Sequence, residues 1–299
     1  GEDVIGYDNF LTGKQENIDR LQKMDGTGFS FVEGDILDDK KLRHSLGGTD
    51  KLVHLAAQVS VQRSLDDPAE TNEINATGFL TALTSAAAEG VERFFYASSC
   101  AVYGDNPVLP LSEESELRPL SPYAATKLIN EHYAKSLAAT HPDLKTVGLR
   151  LFNVFGPHQD RQGGYAAVIP SWIGLLIEGK QPIVYGDGSA TRDFCFVGNV
   201  CGLIHSLGTR DALSADRVYN VGTGNAVTLA QLYAPICSRL VAKGVKITFE
   251  NPKKLPWRAG DIVHSYADIQ QVRDDLDYVP AVGLAEGIDR ILEQEYGLA

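Results

Sequence analysis

The chain alternates short apolar runs with longer amphipathic stretches. Asp3-Val4-Ile5-Gly6-Tyr7-Asp8 has the length and composition of a strand and closes on a carboxylate. A loop with Asn9, Thr12 and Gly13 follows. Phe29-Ser30-Phe31-Val32-Glu33-Gly34-Asp35 repeats the form and again ends on Asp. Lys40–Leu46 predicts a short helix. Lys51-Leu52-Val53-His54-Leu55-Ala56-Ala57 is almost continuous in apolar residues, the pattern of a strand covered on both faces. A long helix is predicted over Ala69–Glu89, a strand over Arg93–Ala97, a helix from Pro122 to about Thr140 and a strand over Thr146–Leu151. Strand and helix in alternation make a parallel α/β sheet with helices on both faces.

After Phe152-Asn153-Val154-Phe155-Gly156-Pro157 the rhythm changes. His158–Gly164 is polar and reads as a mobile loop. A helix over Val168–Glu178 and a strand at Ile183-Val184-Tyr185, turning at Gly186-Asp187-Gly188, come next. From Val218 onward short strands and helices mix in sequence rich in Gly and Pro. The predicted organisation is a first domain over 1–156, to which 193–222 returns, and a smaller mixed α/β lobe from 157–192 and 223–299 that caps the strand ends.

Composition narrows the function. The 299 residues suffice for a large domain with a full core, and 43% hydrophobic with 22% charged residues is ordinary for a soluble globular chain. The net charge of −12 argues against nucleic acid and anionic membranes as partners. No apolar run reaches spanning length, and no leader is visible at the start. Cys100, Cys195, Cys201 and Cys237 form no Cys-x-x-Cys pair and the seven histidines show no ligand spacing, so metal and redox chemistry are not expected and a reducing cytoplasm fits. His54, inside an apolar run, is read as a core residue.

The candidate chemistry lies in Ser121-Pro122-Tyr123-Ala124-Ala125-Thr126-Lys127. Ser121 is a fair N-cap and Pro122 suits the first helical position. Tyr123 and Lys127 are four apart and share a helix face. A free Tyr titrates near ~10, and a nearby cation lowers that value, giving a base for an alcohol proton. The preceding stretch, Tyr96-Ala97-Ser98-Ser99-Cys100-Ala101-Val102-Tyr103-Gly104, brings a Ser hydroxyl to the end of a strand that this helix faces. A surface Tyr and Lys on an ordinary amphipathic helix is the bland alternative.

Many motifs then match in order along nearly the whole chain: Gly34-Asp35-Ile36, His54-Leu55-Ala56-Ala57, Ser60-Val61-Gln62-Arg63-Ser64, Val102-Tyr103-Gly104, Ser121-Pro122-Tyr123 with Lys127, Arg150-Leu151-Phe152-Asn153, Tyr165-Ala166-Ala167-Val168-Ile169-Pro170, Arg192-Asp193-Phe194 and Ala259-Gly260-Asp261. With these the chain resembles the extended short-chain dehydrogenases/reductases, and within them the NAD-dependent UDP-sugar 4-epimerases, especially the branch acting on UDP-N-acetylhexosamines. The resemblance implies a Rossmann-like doubly wound sheet. Such a fold opens with a strand, a Gly-rich turn and a helix; this chain begins where the second strand should be, so that first unit is expected to be missing from its start, with weak NAD binding if 299 residues are all there is.

The resemblance also implies roles. Asp8 would take the adenosine ribose and exclude a 2′-phosphate, with Asn9, Phe10, Gly13 and Lys14 beside it. Asp35 and Ile36 would flank the adenine, and Leu55, Ala56, Ala57, Asn75, Ala97 and Val154 would line the cofactor. Tyr123, assisted by Ser99, would take the proton of the sugar 4-hydroxyl while the C4 hydride passes to NAD and returns to the other face. Lys127 would hold the nicotinamide ribose and lower the Tyr123 pKa. Arg192 and Arg258 would hold the diphosphate with Asn153, while Ala167, Val168, Trp172 and Tyr185 line the nucleotide pocket. Ser60, Asp261 and Ser265 complete the substrate set. Core packing is the alternative for Trp172.

Two positions bear on the substrate. In related dehydratases and decarboxylases a carboxylate follows the catalytic hydroxyl, whereas here Ser99 precedes Cys100 and Ala101, which fits simple epimerisation. Ser265 matches the family's size gate, and a small residue there leaves room for a 2-acetamido group. A UDP-hexuronate epimerase, a decarboxylase and a non-catalytic nucleotide-sugar binder remain open; the direction of Arg63 bears on the first. The resemblance further implies a homodimer through a four-helix bundle of the Ala69–Glu89 and Pro122–Thr140 helices, with Ala82, Ala86, Ala87 and Ala88 allowing close packing.

Overall fold

A computed structural model describes residues 2–24, 28–160, 167–210, 216–257 and 261–298. In chain order the first half runs β1 (Asp3–Asp8), α1 (Gln15–Gln22), β2 (Gly28–Glu33), α2 (Asp39–Leu46), β3 (Lys51–His54), α3 (Val61–Asp66), α4 (Pro68–Asn72), a π turn (Glu73–Thr77), α5 (Gly78–Ala88), β4 (Arg93–Ser99), a 3-10 turn (Cys100–Tyr103), α6 (Pro122–Ala138) and β5 (Lys145–Leu151). The second half runs β6 (Asn153–Phe155), α7 (Val168–Ile177), β7 (Ile183–Tyr185), β8 (Thr191–Arg192), β9 (Phe194–Phe196), α8 (Val197–Thr209), β10 (Arg217–Val221), β11 (Val227–Thr228), α9 (Leu229–Ala242), β12 (Lys253–Leu255), β13 (His264–Ser265), α10 (Gln270–Leu276) and α11 (Leu284–Tyr296). The α/β alternation expected of the first half is present; α1 and α3 were not expected.

The parallel strands of the first half form two pieces, β1 with β2 and β3-β4-β5, and β10 joins the second, so the chain returns to the main sheet at Arg217–Val221; shorter parallel pairs are β6 with β9, β7 with β12 and β8 with β13. Glu2 and Lys51, at the beginnings of β1 and β3, pair at 3.4 Å across the break. The strand expected to be covered on both faces at Lys51–Ala57 ends at His54, and Val53 is 42% exposed. The reason is the break: on its β1 side, β3 has no partner strand among the described residues, so an apolar sequence stands at an edge.

Period-two alternation on β4 builds both layers. Phe94 and Tyr96 face Phe79, Leu83 and Ala134 of α5 and α6. Phe95 points the other way, into a cluster with Val147, Leu149 and Tyr219 of the sheet and Val200, Leu203 and Val272 of α8 and α10. His54 sits in the first layer between the rings of Phe79 and Phe94, and burial together with the Lys127 charge depresses its pKa to about 3, so it is a neutral core residue. Ala82 and Ala86, expected to allow close packing in a bundle, are buried inside this layer, in the cluster that α5 shares with Leu42 and Leu46 of α2.

A separate core in the second half joins α7, α9 and α11 through Ile173, Ile236 and Ile291. Trp172 belongs to it. It is 2% exposed, meets the Tyr233 ring edge-on at 5.8 Å, and donates its indole N–H to the Ile183 carbonyl at 3.0 Å. An amphipathic indole whose one polar atom is satisfied by β7 fits core packing, the alternative to a pocket-lining role. Among the described residues no helix is long and apolar enough to cross a membrane, and no cluster of three His, Cys, Asp or Glu could hold a metal.

Candidate active site

The expected cofactor residues fall at the carboxyl ends of parallel strands, the place where open α/β sheets bind ligands. Asp8 ends β1; its Oδ1 accepts from Phe10 N at 2.6 Å, and Phe10 takes φ 58° to make that turn. Gly13 returns so close that a methyl there would press on the Asp8 carboxylate at 2.7 Å. Asn9 donates to Asp35 Oδ2 at 2.9 Å, joining the ends of β1 and β2, and Ile36 packs on Gly78 of α5. Lys14 reaches Asp160 at 3.5 Å. Leu55, Ala56 and Ala57 follow β3, with Leu55 55% exposed. Asn75 holds that loop rather than facing outward: its amide exchanges two hydrogen bonds with the Gln58 backbone and donates to Thr126 Oγ1. Val154 lies on β6, paired with Cys195.

The reacting centre forms where β4 ends and α6 begins. Ser121 caps α6, its Oγ accepting from Ala124 N at 3.2 Å, and Pro122 fills the first position. The Tyr123 hydroxyl lies beside that of Ser99, the last residue of β4, and Lys127 donates to the Ala97 carbonyl at 2.9 Å. The fit is geometric: four helical residues rise about 6 Å, while two strand residues span about 6.6 Å. Lys127 is 3% exposed, and its Nζ is 5.9 Å from the centre of the Tyr123 ring.

Burial governs both titrating groups. It lowers the Lys127 ammonium to about 8. It also raises the Tyr123 hydroxyl to about 12, the neighbouring Ser99 hydroxyl pulling the other way. In the protein without NAD, loss of water disfavours the phenolate more than the Ser99 hydroxyl favours it.

Of the expected substrate residues, Asn153 opens β6 with its side-chain oxygen buried and without a hydrogen-bond partner. Arg192, on β8, donates to the carbonyls of Thr191, Ile262 and Val263, so it also fixes the segment that carries Asp261 and Ser265. Ser265 is 4% exposed, and its hydroxyl lies beside the Cys100 thiol, without good hydrogen-bond geometry. Cys100 in turn adjoins Ser99. These contacts bring Tyr123, Ser99, Cys100 and Ser265 together, with the Arg192 charge acting on Cys100. Ser60 caps α3 through Arg63 N. Ala167 and Val168 open α7, and Tyr185 ends β7. Arg258 lies outside the described residues, as do Tyr165, Ala166 and part of the loop expected at His158–Gly164.

Two roles were not anticipated. Asp193 is fully buried and accepts from Thr223 N, Thr223 Oγ1, Gly224 N and Ala267 N, clamping the segments on either side of Arg192 and Ser265. Glu131 and Arg150 form a buried bidentate pair behind Ser98. The spacing of Glu131, four beyond Lys127, was the available signal.

The model of the NAD dependent epimerase/dehydratase family matches residues 1–222. A UDP-glucose 4-epimerase of Mycolicibacterium smegmatis is 34% identical over 295 residues, covering 98% of this chain and 90% of that protein. Among solved structures, the Thermotoga maritima UDP-glucose 4-epimerase with UDP-glucose superposes with a TM-score of 0.90 at 30% identity, covering 99% of this chain and 92% of that one. The UDP-N-acetylglucosamine 4-epimerase of Methanobrevibacter ruminantium M1, in complex with UDP-N-acetylmuramic acid, gives 0.87 at 34% identity, with 98% and 91% covered. The strand-end carboxylates, the exposed Leu55 and a buried ammonium with one hydrogen bond among the described residues fit a dinucleotide, and the chain belongs to the NAD dependent epimerase/dehydratase family, with NAD as its cofactor.

Proposed function

We propose that the chain interconverts UDP-N-acetylglucosamine and UDP-N-acetylgalactosamine, within the NAD-dependent UDP-sugar 4-epimerase activity of its relatives. The observation that carries the reading is the juxtaposition of the Ser99 and Tyr123 hydroxyls where β4 ends and α6 begins, with Cys100 and the small Ser265 beside them. Ser99 passes the proton of the sugar 4-hydroxyl toward Tyr123, and Lys127 offers its ammonium to a ribose hydroxyl. When bound, NAD supplies the hydride acceptor and donor, and a positive charge that favours the phenolate. Arg192 and Arg258 take the diphosphate, with Asn153 donating a hydrogen bond. Because Ser265 packs on Cys100, a bulky side chain at 265 would occupy space beside the reacting hydroxyls; a small one supports an acetamido sugar.

Arg63 bears on the uronic-acid alternative. Its guanidinium makes a bidentate pair with Glu70 at 2.8 and 2.6 Å, which supports a sugar without a carboxylate. A homodimer through α5 and α6 is part of the proposal, Tyr133 standing 37% exposed on α6.

The test is epimerisation assayed with added NAD on UDP-N-acetylglucosamine and UDP-glucose in parallel. The acetamido sugar is expected to react faster, and Ser265→Tyr is expected to lower its kcat/KM against UDP-glucose at least tenfold, in keeping with pocket discrimination of one to two decades. Activity on UDP-glucose alone would reject the Ser265 argument. No turnover of either would favour the uronic-acid or non-catalytic readings.

A further inference from the structure

Tyr123, Lys127 and Glu131 follow one another at four-residue steps and share one face of α6. Each meets one of the last three residues of β4: Tyr123 the Ser99 hydroxyl, Lys127 the Ala97 carbonyl, Glu131 the Ser98 hydroxyl, which donates to Oε1. Glu131 is buried and gripped by Arg150, Nε to Oε1 at 3.0 Å and Nη2 to Oε2 at 2.8 Å. Arg150 is the cross-strand partner of Ser98 on β5, and its Nη1 donates to the Tyr103 hydroxyl at 2.8 Å, in the turn that directly follows Ser99. One carboxylate therefore ties α6 to β4, to β5 and to the turn that carries Cys100.

We propose that Glu131 is a positioning residue, with Ser98 as its hold on β4, and that it keeps the Ser99 and Tyr123 hydroxyls in contact. Both hydroxyls stand at element ends, one on the last residue of a strand and the other in the first turn of a helix, and such ends fray. Packing seats α6 on the sheet, and Lys127–Ala97 is one directed hydrogen bond that sets its register on β4. The Glu131–Ser98 contact, one turn further along, adds a second directed bond to the same strand. A buried ion pair adds little stability over apolar residues of the same volume, but its directed hydrogen bonds fix the helix in rotation and in height.

The proposal rests on the epimerase reading and is tested on the holoenzyme with whichever UDP-sugar the unaltered enzyme turns over. Ser98→Ala leaves the ion pair intact and cuts only its link to β4. The kcat is expected to fall between about tenfold and a hundredfold, the range for a small misplacement of reacting groups, while KM and bound NAD stay as they were. In a Ser99→Ala background the same change is expected to cost less than about twofold, since the hydroxyl being positioned is gone. An unchanged kcat with only a lower Tm would overturn the proposal, as would an equal loss in the Ser99→Ala background. Ser98→Cys, a near-isosteric poor donor, carries the same expectations should Ser98→Ala not fold. No turnover of any UDP-sugar by the unaltered enzyme would overturn the epimerase reading and this proposal with it.

Discussion

Lys127→Met should stabilise the NAD-free protein while abolishing its activity. Burial lowers the Lys127 ammonium from 10.5 to about 8. At about 1.4 kcal/mol per tenfold in proton affinity, the folded chain carries a penalty of about 3 kcal/mol at neutral pH. Met has similar length and no charge to desolvate, and it fills irregular core space well. It forfeits the bond to the Ala97 carbonyl, worth about 1 kcal/mol net. The balance is about 2 kcal/mol in favour of the variant at pH 7, or roughly 4 °C in Tm for a chain of this size. The sign with pH follows from linkage. Below pH 8 both folded and unfolded chains hold the proton and the penalty is complete. Between about 8 and 10.5 the folded chain releases it while the unfolded chain keeps it, so the parent gains stability as pH rises. The advantage of Lys127→Met should therefore vanish near pH 10. Thermal unfolding of both proteins, freed of NAD, at pH 7 and 10 measures this. Saturating NAD, at about 100 times the parent's Kd, adds about 2.7 kcal/mol to the parent and little to a variant that has lost the ammonium holding the ribose, so it should reverse the order at pH 7. A variant that melts below the parent at pH 7, by an amount that does not change with pH, would refute the desolvation argument.

Tyr123→Phe removes the base and keeps the ring, so kcat should fall by about 10²–10⁴ with the cofactor still bound; a rate assay beside NAD quantification checks it, and near-normal turnover would exclude Tyr123 as the base. Arg150→Met leaves the Glu131 carboxylate buried without its cation and should cost about 3–5 kcal/mol in stability, while Arg150→Met with Glu131→Leu should restore most of it, both read from Tm. Equal Tm values for the single and double variants would show that the carboxylate finds other partners.

The site divides by sequence distance. Tyr123 and Lys127 were legible because a helix brings residues four apart together whatever surrounds it. Ser99 was legible as the polar end of an apolar strand. Glu131 sat at the next step of the same spacing, yet its partner Arg150 is nineteen residues away on β5, and nothing local joins them. The clamp made by Asp193 on Thr223, Gly224 and Ala267 is longer still.

What the sequence determined by itself was periodicity and order: apolar runs of strand length, helices with caps at Ser121 and Pro122, and an alternation that admits little besides a parallel α/β sheet. These depend on neighbours along the chain. What the tertiary structure decided was environment. It put Trp172, Ala82 and Ala86 inward, left Val53 at an edge and turned Arg63 onto Glu70. It also buried the Tyr123 hydroxyl, which raises it to about 12 in the protein without NAD. Burial and desolvation are properties of the whole packed chain, and no window of sequence contains them.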